Sequence, residues 1–173
     1  MQCKLCLEDH ELCNSHIIPE FLYTELYNDK NQLLGINGLG KRGCRPLQKG
    51  IREYLFCKSC EQHFNELFEK PFLSEWVRNP VLPPVLKVDE TYTVKVNYEK
   101  FKLFHLSVLF RAGVSSLPTF EEVQLGSHRE KLRKMILHNK PGEVWEYPIF
   151  GLLIVNPEEK AVFQMVSKFV ANP

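Results

Sequence analysis

Apolar residues change their spacing several times along this chain, and each change marks an element. From Glu20 to Tyr27 they recur at helical intervals (Phe21, Leu22, Leu26) and stop at Asn28-Asp29, which predicts a short helix. Gly35, Gly38, Gly40 and Gly43 then punctuate a stretch expected to be a flexible loop. Tyr54-Leu55-Phe56 predicts a short strand, and Glu61 to Glu69 a helix that stops before Pro71, because proline breaks a helix interior. Leu73 to Val77 offers a further helical turn. Asn79-Pro80 and Pro83-Pro84 are breakers, so the expected division is a head over 1–78, a Pro-rich linker over 79–90 and a second region over 91–173.

Past the linker, Tyr92 to Val96 alternates as a strand would. Tyr98 to Ala112 is apolar nearly all round and reads as a buried core helix, with His105 inside it as a satisfied core residue. Ser127 is placed to cap a helix whose third position is Glu130 and which continues from Lys131 to His138, ended by Asn139-Lys140-Pro141-Gly142. Strands are expected at Trp145–Tyr147, Ile149–Val155 and Ala161–Phe169. The predicted fold class is α+β, a small metal-stapled head followed by an α+β C-terminal part.

The cysteines suggest the staple. Cys3 and Cys6 form one Cys-x-x-Cys pair, Cys57 and Cys60 another, and two such knuckles meeting in space give the four-sulfur tetrahedron that zinc prefers. Small buried hydrophobes falling two by two, or a disulfide framework, are the competing readings. Met1 leads straight into Gln2-Cys3-Lys4 without a signal-peptide pattern, so a zinc-bound, thiol-reduced chain in the cytoplasm is expected. Cys13 and Cys44 remain as free thiols without a function.

A chain of 173 residues is long enough for a substantial core. Its longest apolar stretch, Tyr147 to Val155, is interrupted by Pro148 and Gly151, well short of the roughly 20 residues a spanning helix needs. The net charge of +1 carries no overall footprint of nucleic-acid binding. A local one is present in Lys41, Arg42, Arg45, Lys49 and Arg52, which precede any acid until Glu53. This stretch is either a phosphate-backbone contact or a solvated basic loop.

Between the knuckles lies Ser15-His16-Ile17-Ile18-Pro19. His16, in a short apolar strand ended by Pro19, has the chemistry to take a proton from water near neutral pH, as phosphodiester hydrolysis requires. Glu61, His63 and Asn65 follow Cys60 within about one helical turn. Glu61 and Asn65, four apart, are expected on one face with His63 pointing elsewhere, and a divalent cation there would polarise a scissile phosphate. A solvated helix start is the alternative for these three.

Cys3-Lys4-Leu5-Cys6, Ser15-His16-Ile17-Ile18-Pro19 and Leu55-Phe56-Cys57-Lys58-Ser59-Cys60 together resemble the HNH endonucleases of the His-Me finger (ββα-metal) group, over roughly residues 1–70. Lys102 to Ser115, Val123 to Gly126 and Pro141 to Pro148 are similar to bacterial HNH-like proteins with the same Ser-His-Ile-Ile-Pro form. The resemblance implies a ββα-metal head and His16 as general base. It also implies Cys3, Cys6, Cys57 and Cys60 on structural zinc, catalytic Mg²⁺ or Mn²⁺, and nucleic acid, DNA foremost, as substrate, with a homodimer or partner protein to cut both strands. Three departures from the pattern stand out: Ser15 is where the family has Asp, Glu61 is where it has His, and the middle Asn before the second knuckle has no clean match, Arg52 and Glu53 occupying that stretch. Glu61 still suits a hard cation. The runner-up expectation is a zinc-stapled binding module, for nucleic acid or protein, that keeps the scaffold without the metal site.

Overall fold

The structure is a computed structural model that describes residues 1–24, 27–30, 32–35, 45–48, 50–78, 93 and 95–150; for 32–35 and 45–48 only the backbone is described. It is a mixed assembly of helices and two small sheets. Strand β1 (Leu12–His16) pairs antiparallel with β4 (Arg52–Cys57), and β2 (Gln32–Gly35) pairs antiparallel with β3 (Arg45–Gln48). Helix α1 (Lys58–Phe64) leaves β4 directly. It continues through a π-helical segment (Asn65–Glu69), α2 (Lys70–Phe72) and a second π-helical segment (Leu73–Arg78). Helices α3 (Tyr98–Val114) and α4 (His128–Leu137) complete the described elements, with single 3₁₀ turns at Glu20–Leu22 and Pro118–Phe120.

Pairing of β1 with β4 sets Cys13 opposite Phe56 and Asn14 opposite Tyr54, so Leu55 is an inserted bulge residue. Its carbonyl, released from the ladder, accepts the Lys4 N–H at 3.0 Å and ties the first knuckle to the sheet. Beyond the bulge Ser15 faces Glu53 and His16 faces Arg52. Burial along β1 does not alternate strictly: Leu12 and Ser15 are buried and Asn14 is exposed, with the register shift falling between Cys13 and Asn14.

Phe64, Phe68 and Phe72, spaced by four, are all buried and present an aromatic row to α3. Phe72 stacks on Phe104 at 3.8 Å between ring centroids, and Phe56 meets Phe64 edge-on at 4.9 Å. One hydrophobic cluster contains Cys3 and Leu5 of the first knuckle, the phenylalanine row, most of α3, and Leu132 and Ile136 of α4.

Several local expectations need correction. Of the helix expected over Glu20–Tyr27, Glu20–Leu22 form a 3₁₀ turn that Tyr23 leaves to bury its ring against Gly50, whose φ is +69°, and Glu25 and Leu26 lie outside the described residues. Helical structure passes Pro71: the Lys70 N–H reaches back five residues to the Asn65 carbonyl, and this wider turn accommodates a residue that cannot donate. Thr93, Lys95 and Val96 are not in a strand, and Tyr92 and Val94 lie outside the described residues. Trp145–Tyr147 is a turn, with Tyr147 at φ +51° and its hydroxyl paired to His128 at 2.8 Å.

Other expectations agree with the structure in whole or in part. Tyr98–Val114 is a buried helix, and His105 Nδ1 meets the Phe101 carbonyl at 2.8 Å. Helix α4 forms where expected, but the cap does not: Ser127 takes helical geometry and makes no side-chain cap bond, so the expected capping box with Glu130 is absent. The end of α4 is a Schellman motif: Asn139 sits at φ +52°, and the Lys140 N–H bonds to the Met135 carbonyl at 2.8 Å. Of the strand expected over Ile149–Val155, Ile149 and Phe150 are not in a strand and the rest lies outside the described residues, as do the linker over 79–90, the strand expected over Ala161–Phe169 and most of the glycine-rich stretch, which β2 and β3 flank.

Candidate functional site

Local backbone geometry builds the metal cluster. In the first knuckle the Leu7 N–H bonds to the Cys3 carbonyl at 3.0 Å and the Cys3 N–H to the Glu8 carbonyl at 2.9 Å. Leu7 is held at φ +65°, a left-handed conformation that costs a β-carbon residue about 1 kcal/mol or more. Cys57 ends β4 in extended geometry and precedes α1, which puts Cys60 on that helix's first turn facing back toward the sheet.

The four Sγ atoms lie within 4.8 Å of one another, with Cys6 and Cys57 3.9 Å apart. Tetrahedral Zn–S bonds of about 2.3 Å place sulfurs roughly 3.8 Å apart, so the cluster has the dimensions of a closed zinc site. Its cysteines are free thiols, and Cys3, Cys57 and Cys60 are buried. Burial pushes the Cys60 thiol up. Burial acts the same way on Cys57, but the Ser59 hydroxyl, the Cys60 N–H and the neighbouring thiols outweigh it and bring that thiol down to about 6. These four cysteines can hold a zinc ion. An open hollow of about 450 Å³ lies beside the second knuckle, lined by His10, Glu11, Cys57, Lys58, Ser59 and Gln62.

His16 ends β1, half-buried. Arg52, its cross-strand partner, donates from Nε to His16 Nε2 at 2.9 Å, and Glu20 Oε2 lies 4.0 Å from the same nitrogen. With Nε2 accepting, the neutral ring carries its proton on Nδ1. The main chain of His16 is held from the other side, where its carbonyl accepts from Arg111 Nη1 at 3.2 Å.

Arg111 comes from α3 and is 2% exposed. Its Nη1 also pairs with Glu69 Oε1 at 2.7 Å, its Nε reaches the Ser107 carbonyl, and its guanidinium lies over the Phe64 ring at 4.9 Å. Glu61 lies in the same charged neighbourhood. Burial raises its carboxyl above the usual range, against the lowering influence of the Ser15 hydroxyl and the Arg111 charge, and Glu69 adds repulsion. One oxygen of Glu61, Oε1, is buried without a hydrogen-bond partner among the described residues.

No family model, curated protein or solved structure matches this chain.

Site residues expected from the sequence therefore separate into groups. Cys3, Cys6, Cys57 and Cys60 converge, and Ser15 and Glu61 meet beneath the strand of His16. His63 turns toward α4, where Nε2 meets the Ile136 carbonyl at 2.8 Å and its ring packs edge-on to Phe68. Asn65 is exposed, whereas Glu61 is turned inward. Of the basic residues, Arg52 is engaged with His16 and Arg45 lies in β3; Lys41, Arg42 and Lys49 lie outside the described residues, as does Cys44. A divalent cation would find one suitable donor in the partnerless oxygen of Glu61, with the Ser15 hydroxyl as a weaker neighbour.

Sequence reasoning missed Arg111 and Glu69. An arginine within an almost wholly apolar helix is a usable signal, since burying that charge requires partners.

Proposed function

We propose that this chain is a metal-dependent endonuclease that hydrolyses phosphodiester bonds of nucleic acid, DNA foremost, on an HNH-like ββα-metal scaffold. The observation that carries the reading is the buried, partnerless Oε1 of Glu61, on the helix that leaves the cysteine cluster and beside Ser15, the neighbour of His16. A carboxylate oxygen kept from water without a donor is costly, and a hard cation is the partner that best satisfies it. The reading is supported by an antiparallel β1–β4 pair that leads directly into α1, with β2 and β3 between them in the chain, and a zinc ion on Cys3, Cys6, Cys57 and Cys60 would fix strand and helix together.

On this reading His16 takes a proton from the attacking water at its imidazole, while Arg111 holds the His16 main chain in place. Glu61 would hold Mg²⁺ or Mn²⁺, which when bound supplies charge neutralisation at the phosphate. The basic residues Lys41, Arg42, Arg45, Lys49 and Arg52 would bear on the phosphate backbone. Reduced zinc-bound thiols suit the cytoplasm, and no helix among the described residues is long and apolar enough to cross a membrane. Cutting both strands would call for a second copy or a partner.

One observation favours the second reading, a zinc-stapled binding module without catalysis: the basic nitrogen of His16 is already engaged by Arg52. Plasmid DNA incubated with the purified protein and Mg²⁺ or Mn²⁺, beside His16→Ala, decides between the two. Nicking by the wild type and loss in the variant are expected. Equal nicking by both, or none with either metal, overturns the nuclease.

A further inference from the structure

Arg52 and His16 face each other across the β1–β4 ladder, so their contact is set by strand register and not by chance side-chain wandering. Within it the Nε–H of a permanent cation points at the lone pair that a general base must offer to water, at 2.9 Å. While that contact lasts, Nε2 cannot accept another proton. A guanidinium, however, binds phosphate through charge-assisted, often two-pronged hydrogen bonds, roughly twice as strong as those to a neutral acceptor such as imidazole. A phosphodiester arriving at this face therefore outcompetes the imidazole for Arg52.

We propose that Arg52 is a positioning residue that caps His16 Nε2 in the free protein and is drawn off by the substrate's phosphate, so the base becomes available only once a phosphodiester is seated. The proposal rests on the nuclease reading and names how its substrate is sensed. Among the described residues, the imidazole is faced by Arg52 from β4 and by Glu20 from the turn after β1, while Tyr27, whose hydroxyl donates to Glu20 Oε1 at 3.1 Å, holds that carboxylate in place; Arg111 approaches the His16 main chain from α3. Glu20, 4.0 Å from Nε2, remains beside the ring when Arg52 leaves and supports its orientation. The exchange uses no redox partner and transfers no group. Arg52 keeps its charge throughout, and one hydrogen bond is traded for another.

The experiment is a long-range ¹H–¹⁵N correlation spectrum of the ring of His16 in the zinc-loaded full chain, without divalent metal, titrated with the dinucleotide thymidylyl-thymidine. In the free protein the proton sits on Nδ1 and Nε2 shows the shift of a hydrogen-bonded acceptor. Added dinucleotide moves His16 Nε2 toward the unbonded acceptor value and shifts Arg52 Hε along the same titration curve. In Arg52→Ala and, as a second variant that keeps side-chain bulk without any donor, Arg52→Met, Nε2 starts at the unbonded value and the dinucleotide leaves it there. A proton on Nε2 in the free wild type overturns the proposal. So does a dinucleotide that shifts Arg52 and not His16, or one that shifts neither. No cleavage is needed for this readout: a protein that shows the exchange and never cuts DNA keeps the cap and loses the nuclease, and one that cuts with Nε2 unmoved does the reverse.

Discussion

Two glutamates on neighbouring elements have opposite electrostatic fates, and each predicts a pH dependence. Glu53 is partly buried, which alone would raise its carboxyl. It accepts from the Ser115 hydroxyl at 2.6 Å and from the Ser116 N–H at 3.1 Å, with the Ser116 hydroxyl as a further donor, and these bonds hold it below the usual carboxylate range. A depressed acid stabilises the fold above its unfolded pKa and loses that contribution as pH falls through the folded value. Glu53→Gln is therefore expected to cost about 1–3 kcal/mol in urea unfolding at pH 7, with the gap to wild type closing below about pH 4. Glu61 behaves in the other sense. Its folded pKa is raised by burial, so the penalty for ionising it is absent at low pH and complete above the folded value. Zinc-loaded Glu61→Gln, free of other divalent ions, should melt above wild type at pH 8, and the difference should shrink toward pH 5. A constant difference across that range would argue that the orphaned oxygen of Glu61 is not charged.

At the scale of elements, α3 braces the site. Arg111 joins the carbonyl of His16 on β1 to Glu69 of the first π-helical segment, with Phe64 of α1 beneath its guanidinium. Removing one member of a buried pair strands the other, and since Glu69 keeps 22% of its side chain exposed the penalty falls somewhat short of a fully buried case. Arg111→Met should lower stability by about 2–4 kcal/mol in urea unfolding, and the double variant Arg111→Met with Glu69→Met should recover part of that loss. Periodicity exposed α3 and α4 because each carries a long pattern with an end signal, such as Asn139 at its left-handed position. It misjudged the run from Glu61 onward, where a wide π turn carries the helix past Pro71, and it misread Trp145–Tyr147, whose turn depends on the partners of Tyr147. Such outcomes rest on tertiary contacts that local propensity does not contain.

Across the whole molecule, the two knuckles are separated by some fifty residues in sequence and meet through the β1–β4 ladder, the bond from Lys4 to the bulged Leu55 and that from the Cys57 N–H to Cys3 Sγ at 3.4 Å. Spacing alone made the four cysteines legible, since two tight pairs have few other uses. Arg111 and the capping of His16 were not legible, because they depend on which helix and which strand lie alongside. A zinc ion there would tie the N-terminal turn to β4 and α1. Metal analysis after dialysis should find about one Zn²⁺ per chain, and a strong chelator or Cys60→Ser should abolish cooperative unfolding of the head. The most direct test of the account as a whole is single-turnover cleavage of end-labelled duplex DNA with Mn²⁺ by wild type, His16→Ala and Glu61→Gln, prepared in parallel. The account predicts cutting by the wild type and its loss in both variants, each still folded and carrying its zinc. Cutting at one common rate by all three, or by none, would contradict it.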